Sequence, residues 1–169
     1  HVIHDMQRHQ RLLEAGANVS RSITSILDLD ALLQTAVDII CKEFEFYYAG
    51  IFLLDKPGQW AVLRAGHGNP GKAMLAENHR LDVQGQSMIG EAIRTRSGVI
   101  SADVGDEISH FKNPHLADTR SEMALPLIDR DNILGALSVQ SKQVNAFTNA
   151  DITALQALAD QIAVAIENA

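Results

Sequence analysis

The sequence predicts an α+β fold, an antiparallel sheet with amphipathic helices at both ends of the chain, and three observations predict it. Two stretches read as β-hairpins, "FYYAGIFLLDKPGQWAVLRA" and "MALPLIDRDNILGALSVQS", and hairpins imply antiparallel pairing. Apolar residues before the first and after the second recur at helical spacing. With 169 residues, 46% of them hydrophobic and 21% charged, the chain is long enough for one domain with a buried core.

From Arg8 to about Ile26, the residues Leu12, Leu13, Val19, Ile23 and Ile26 predict an N-terminal helix, placed in residues 1–27. Asp28 can cap a second helix, whose stripe is Leu32, Leu33, Ala36, Val37, Ile40 and Phe44. The single cysteine, Cys41, lies beside that stripe and is expected to be a buried structural thiol. One cysteine permits no internal disulfide and suits a reducing compartment.

"FYYAGIFLL" is apolar on both faces, as a central strand requires, and Pro57 and Gly58 suit the turn to "WAVLRA". "GHGNPGKAMLAEN" is Gly-rich and then briefly helical, and is expected to be a flexible lid or connector; it lacks the G-K-[ST] of a phosphate loop. Ser87 can cap a short helix burying Met88, Ile89, Ala92 and Ile93, with Gly98 ending the region and "VISADV" following as a strand. "ISHFKNPHLADTR" then has no periodicity at all. In the last hairpin, Met123, Leu125 and Leu127 share one face, Ile133, Gly135, Leu137 and Val139 alternate, and "DRDN" is the tight turn.

Thr148 with Asp151 three residues on reads as a short capping box. Ile152, Leu155, Ala159, Ile162 and Ile166 follow at spacings of three and four, a coiled-coil-like seam, while Leu158 and Ala165 lie off it. No glycine or proline stops the helix before Ala169, so it is expected to continue in a longer protein. The net charge of −7 disfavours nucleic acid and anionic lipid as partners. No apolar run approaches the roughly 20 residues that cross a bilayer.

The order of elements resembles that of the GAF domain of bacterial sensor proteins, histidine kinases above all. "GQSMIGEAIRTRSGVISADV" is similar to that family's glycine-punctuated helix and strand, and the chain from Met123 to Ala169 resembles its C-terminal half. The resemblance covers about Arg11 to the C-terminus. It implies a six-stranded antiparallel sheet, with terminal helices on one face and a ligand pocket on the other under lid, short helix and irregular segment. The whole chain is then a single GAF domain, with sheet and pocket in 28–147 and a signalling helix in 148–169. The implied function is a cytoplasmic sensory domain that binds an unknown small molecule and relays the event to a C-terminal output domain. Met88, Ile93, Ser109, His110, Phe111 and His115 are the expected pocket residues, shaped by Gly85, Gly90 and Gly98. A homodimer through the terminal helices, with the Ile152–Ile166 seam, is the expected assembly.

Alternatives remain at this point. A ligand-free dimerisation and relay module would fill the pocket with its own side chains. In the bilin-binding branch a Cys-His pair stands where Ser109-His110 stands here, and a hydroxyl makes no thioether, so covalent bilin is not expected. Haem would require His110 or His115 as axial ligand, against the simpler reading of solvated loop histidines. His1, His4, His9, His67 and His79 form no metal spacing. "NAFTNADI" keeps Asn145, Phe147 and Asp151 of a cyclic-nucleotide signature but has Ala146 and Ile152 for its Lys and Glu. Thr148 and Asp151 are better explained as helix-start residues. With no second thiol, no Ser-His-Asp order and no paired carboxylates at a recognisable spacing, an enzyme is not expected.

Overall fold

The computed structural model describes residues 29–106 and 113–169. The expected N-terminal helix of residues 1–27 and its seam therefore lie outside the described residues, as do Ser109, His110 and Phe111. The fold is α+β, as predicted, built on one six-stranded antiparallel sheet.

Helix α1 (Leu29–Phe44) buries the predicted stripe and Cys41 with it. The chain turns out of α1 at Glu45, whose φ is +57°. Strands β1 (Tyr48–Leu54) and β2 (Trp60–Gly66) form the first hairpin. In its turn Gly58 takes φ +74°, and the Asp55 carboxylate accepts from the Gln59 and Trp60 amides. Helix α2 (Gly68–Ala76) leads to the three-residue edge strand β3 (Arg80–Asp82), which pairs with β2. Helix α3 (Met88–Thr95) and the short strand β4 (Val99–Ser101) come next. Two 3-10 turns, Val104–Asp106 and Pro114–Leu116, lead into β5 (Ser121–Asp129). A two-residue turn at Arg130 and Asp131, both with positive φ, connects to β6 (Asn132–Ser141), the twist-matched geometry for a tight hairpin. The chain ends on α4 (Asn149–Glu167), which opens with the predicted capping box between Thr148 and Asp151.

The strand order is β3-β2-β1-β6-β5-β4. Side-chain alternation splits this sheet into two buried faces. On one, Ile51, Met123, Leu125, Leu137 and Val139 pack against α1 and α4. On the other, Tyr48, Phe52, Leu63, Ala124 and Ala136 lie under α2, α3 and the second 3-10 turn. The central strands are thus covered on both sides, which is why "FYYAGIFLL" carries no polar face.

Three local expectations are corrected. "GHGNPGKAMLAEN" is a nine-residue helix from Gly68 rather than a flexible lid that turns helical late, because packing rather than propensity holds it. Helix α3 stops with Arg96 in the left-handed region, φ +55°, before Gly98 is reached. The strand read in "VISADV" is only Val99–Ser101.

Candidate functional site

A cavity of about 30 Å³ lies between the second face of the sheet and its cover. Tyr48, Glu122 and Gln140, three members of one rung of side chains, line its floor. Register places Ser101 opposite Glu122, Glu122 opposite Gln140 and Gln140 opposite Tyr48, so four polar groups from β4, β5, β6 and β1 point to the same side. All four are buried. Ser138, two residues along β6 from Gln140, donates to Oε2 of Glu122 at 3.1 Å and receives the Gln140 amide at 3.0 Å. Thr119 in turn donates to Oε1 of Gln140 at 2.6 Å. At the two ends of the rung, the Tyr48 and Ser101 hydroxyls are buried with no hydrogen-bond partner among the described residues, and of the two only Tyr48 lines the cavity. An unpaired buried hydroxyl costs on the order of 1–3 kcal/mol.

The walls are apolar: Phe52, Met74, Leu81, Met88, Ile89 and Leu116. Glycine seats α2. A Cβ on Gly71 would lie 2.1 Å from the carbonyl carbon and oxygen of Gly66, so helix and strand backbones touch there. Gly50 and Gly66 face each other across β1 and β2 and leave the room that the Tyr48 phenol fills. Helix α3 starts with the Ser87 hydroxyl accepting from the Gly90 amide at 3.0 Å, and that cap presents Met88 and Ile89 to the cavity. Arg94 anchors the helix to the preceding loop by donating to the carbonyls of Val83 and Gly85. The second 3-10 turn closes the rim. Asn113 Oδ1 accepts from the His115 amide, its Nδ2 meets the Met74 sulfur at 2.9 Å, and His115 Nε2 pairs with Glu77 beyond the end of α2 at 3.0 Å.

Burial pushes the Tyr48 phenol well above its ordinary value, with the Cys41 and Glu122 charges adding to it, so Tyr48 remains a donor. Burial pushes the Cys41 thiol up to about 12, and neighbouring Asp38 adds to the shift. Cys41 belongs to the α1 face of the core, across the sheet from the cavity.

His79 stands at the cavity with its ring edge-on to Phe52, centroids 5.8 Å apart. Burial lowers its pKa from the ordinary 6.5, Glu77 opposes that and His115 adds to it. With the folded value below the unfolded one, the unfolded chain binds more protons once pH falls through about 6.5. This contribution to stability is therefore complete above about 6.5 and declines as the medium is acidified. The melting temperature is expected to drop between about pH 7 and pH 5, and His79→Gln to flatten that part of the profile. An equally steep profile in the variant would assign the acid sensitivity to other groups.

The expected pocket residues separate. Met88 lines the cavity, and Ile93 is buried in the same cluster behind it. His115 is at the rim, engaged with Glu77, and does not line the cavity. Gly90 allows α3 to approach the Val83 carbonyl, where a Cβ would come within 2.8 Å. Sequence reasoning passed over Tyr48, His79, Glu122, Ser138 and Gln140. On α4, Leu155, Ala159 and Ile162 of the seam are fully buried against this chain's own sheet, while Ile152 and Ile166 are partly buried against it. Among the described residues no helix is long and apolar enough to cross a membrane.

Residues 26–167 match the family model of the GAF domain. No curated protein matches the chain. Among solved structures, the chain is similar to the GAF domain of a phosphoenolpyruvate-protein phosphotransferase from Coxiella burnetii, at 21% identity and TM-score 0.81, covering 95% of each chain. It is also similar to a free methionine-R-sulfoxide reductase from Neisseria meningitidis in complex with its substrate, at 21% identity and TM-score 0.78, covering 92% of this chain and 88% of that one. A type II free methionine-R-sulfoxide reductase from Thermoplasma acidophilum is similar at 18% identity and TM-score 0.69, over 83% of this chain and 96% of that one. At such identities the likeness establishes the fold. The expectation that the chain is not an enzyme is corrected by the two reductases. The same backbone supports catalysis in other chains, because chemistry on a shared fold is set by a few side chains in the site.

Proposed function

The chain belongs to the GAF domain family, and from that premise we propose that it is a regulatory domain binding a small molecule in the cavity between the sheet and the cover of α2 and α3. One observation supports this reading above the others: a polar rung lines a mostly apolar enclosure, and its Tyr48 hydroxyl has no hydrogen-bond partner among the described residues. Such groups destabilise an empty fold and gain partners when a ligand arrives. Met88 belongs to its wall with Ile93 packed behind it, and Ser109, His110, Phe111 and His115 are the further residues proposed to meet the ligand.

The relay has a short physical route. Glu122 and Ser138 face the cavity, while Met123, Leu137 and Val139 on the same two strands face the core that holds α4. A ligand that favours one seating of the cover shifts the balance of strand and helix arrangements by its differential affinity for them. In the proposed setting α4 continues to an output domain of a cytoplasmic bacterial sensor, a histidine kinase of a two-component system, and the terminal helices pair in a homodimer. The small cavity favours a second reading, a relay module that its own side chains keep closed.

Isotope-labelled chain screened by NMR against pooled cell metabolites separates the two. Leu81→Trp, a change at a partly buried wall position, provides the control by filling the cavity. Sensing predicts a metabolite that shifts resonances of α2, α3 and the rung and loses its effect in Leu81→Trp. Metabolites that leave these elements unmoved would contradict sensing and support the relay.

A further inference from the structure

We infer that movement of the cover helix α2 is passed to α1 through the end of β2, and that Gln34 is the residue that couples the two helices. The inference rests on the binding role proposed above for its use. It adds to the route through β5 and β6 a second relay, toward the chain that precedes Leu29.

Strand β2 has an open edge where the cover begins. Its pairing with β3 runs only from Trp60 to Val62. Farther along, the His67 amide points to β1 and donates to the Ala49 carbonyl, so the backbone groups of Gly66 point away from β1. Gln34 of α1 takes the place of a strand there. Its Nε2 donates to the Gly66 carbonyl at 3.0 Å and its Oε1 accepts from the Gly66 amide at 3.4 Å. The same Nε2 donates to Oδ1 of Asp38, one turn along α1, at 3.2 Å, and that oxygen also holds His67 Nδ1 at 2.8 Å. Gln34, Gly66, His67 and Asp38 thus form a closed ring of contacts. The His67–Asp38 pair is half-exposed and contributes little alone, whereas the bonds of Gln34 to Gly66 are part-buried. Gln34 is therefore the stronger side of the joint.

Gly66 and His67 are gripped from the cover as well. The His67 carbonyl accepts from the Gly71 amide at 3.2 Å in the first turn of α2. Gly71 lies so close to Gly66 that a Cβ would stand 2.1 Å from its carbonyl carbon and oxygen. No flexible side chain intervenes there, so α2 and the end of β2 move together or separate. Helix α2 carries Met74 to the cavity wall, which ties its seating to what the cavity holds. A shift of α2 displaces Gly66, and Gly66 then draws the Gln34 amide with it or breaks both bonds. Gln34 stands between Leu33 and Val37, both wholly buried against the sheet, so a pull on it is borne by the whole helix. Coupling of this kind is reciprocal, and the position of α1 biases the seating of α2 equally.

Gly71→Ala moves α2 and Gln34→Ala opens the joint, so the two form a double-mutant cycle, read by amide NMR shifts in the labelled 169-residue chain. Gly71→Ala is expected to shift the α1 amides around Gln34 and Asp38, and to shift them less than about a third as far in the Gln34→Ala background. Equal shifts in both backgrounds would overturn the assignment to Gln34. An α1 that stays still while α2 moves would overturn the coupling itself. Neither result touches the binding role, since no ligand is added and the metabolite screen decides that role separately. If Gly71→Ala does not fold, hydrogen exchange of Gln34→Ala alone decides. Reciprocity then predicts that α2 amides exchange about fivefold faster or more. Arg64→Ala, which removes the exposed Arg64–Asp30 pair between the same strand and helix, should leave α2 within about twofold. Unchanged α2 exchange in Gln34→Ala, or an equal acceleration in Arg64→Ala, would contradict the inference.

Discussion

Replacing Gly71 by alanine is expected to unseat α2 and abolish binding beneath it while the sheet survives. The added methyl would stand 2.1 Å from the carbonyl carbon and oxygen of Gly66, and backbone cannot rotate away as a side chain can. The helix must then lift from β2, which withdraws Met74 from the cavity and loosens the Asn113 contact to its sulfur. A cost of about 1–3 kcal/mol is expected from overpacking at a surface helix that can partly relax. Hydrogen exchange distinguishes this from general unfolding. Amides of α2 and His79 should lose protection, whereas those of the β1–β6 ladder keep it. Unchanged protection of α2 would mean that the close helix–strand contact is not what holds the cover.

Gly135→Ala should be worse and act on the whole fold. Gly135 lies in β6 opposite Leu53 of β1, and a Cβ there would fall 1.9 Å from the Phe52 carbonyl oxygen and 2.9 Å from the Leu53 Cα. Both neighbours are backbone of the central strand pair, with helices packed on one side and the cavity on the other. Relief requires breaking that ladder, so a loss of about 3 kcal/mol or more is expected in urea unfolding, with protection lost along β1 and β6 together. A change below about 1 kcal/mol would show that the strands can separate locally at little cost.

The sequence is most informative where a period repeats over many residues. The stripes of α1 and α4, the alternation of β5 and β6 and the caps at Ser87 and Thr148 each carry several agreeing signals. Strand β3 has three residues, too few for an alternation to register, and it is held by pairing to β2 with Arg80 stacked 3.9 Å over the Trp60 ring. Helix α2 begins with Gly68, Asn69 and Pro70 and has Gly71 at its contact face, so local preference argues against the helix that packing on Gly66 favours.

The site was harder to read for a related reason. Ser138 and Gln140 alternate with Leu137 and Val139 in "ALSVQS", and Glu122 opens "SEMALPL" beside Ser121, a pattern that ordinarily marks a solvated strand face or strand end. Here the polar face is covered and becomes the floor of the cavity. The available signal was the expectation of a cover on that face, which turns an outward polar residue into a buried one. Ser109, His110 and Phe111 drew attention because they stood out locally, whereas the rung exists only once four strands are in register.

The central claim is that this polar rung is retained for a ligand and not for the fold, and the melting of Tyr48→Phe tests it most directly. The substitution removes one hydroxyl that has no partner among the described residues and leaves the ring between Gly50 and Gly66. The account predicts a melting temperature unchanged or raised, since an unsatisfied buried donor is removed, together with weaker binding of whatever ligand the rung holds. A destabilisation of more than about 1 kcal/mol would contradict it. It would show that the hydroxyl is already satisfied in the empty chain and belongs to the structure.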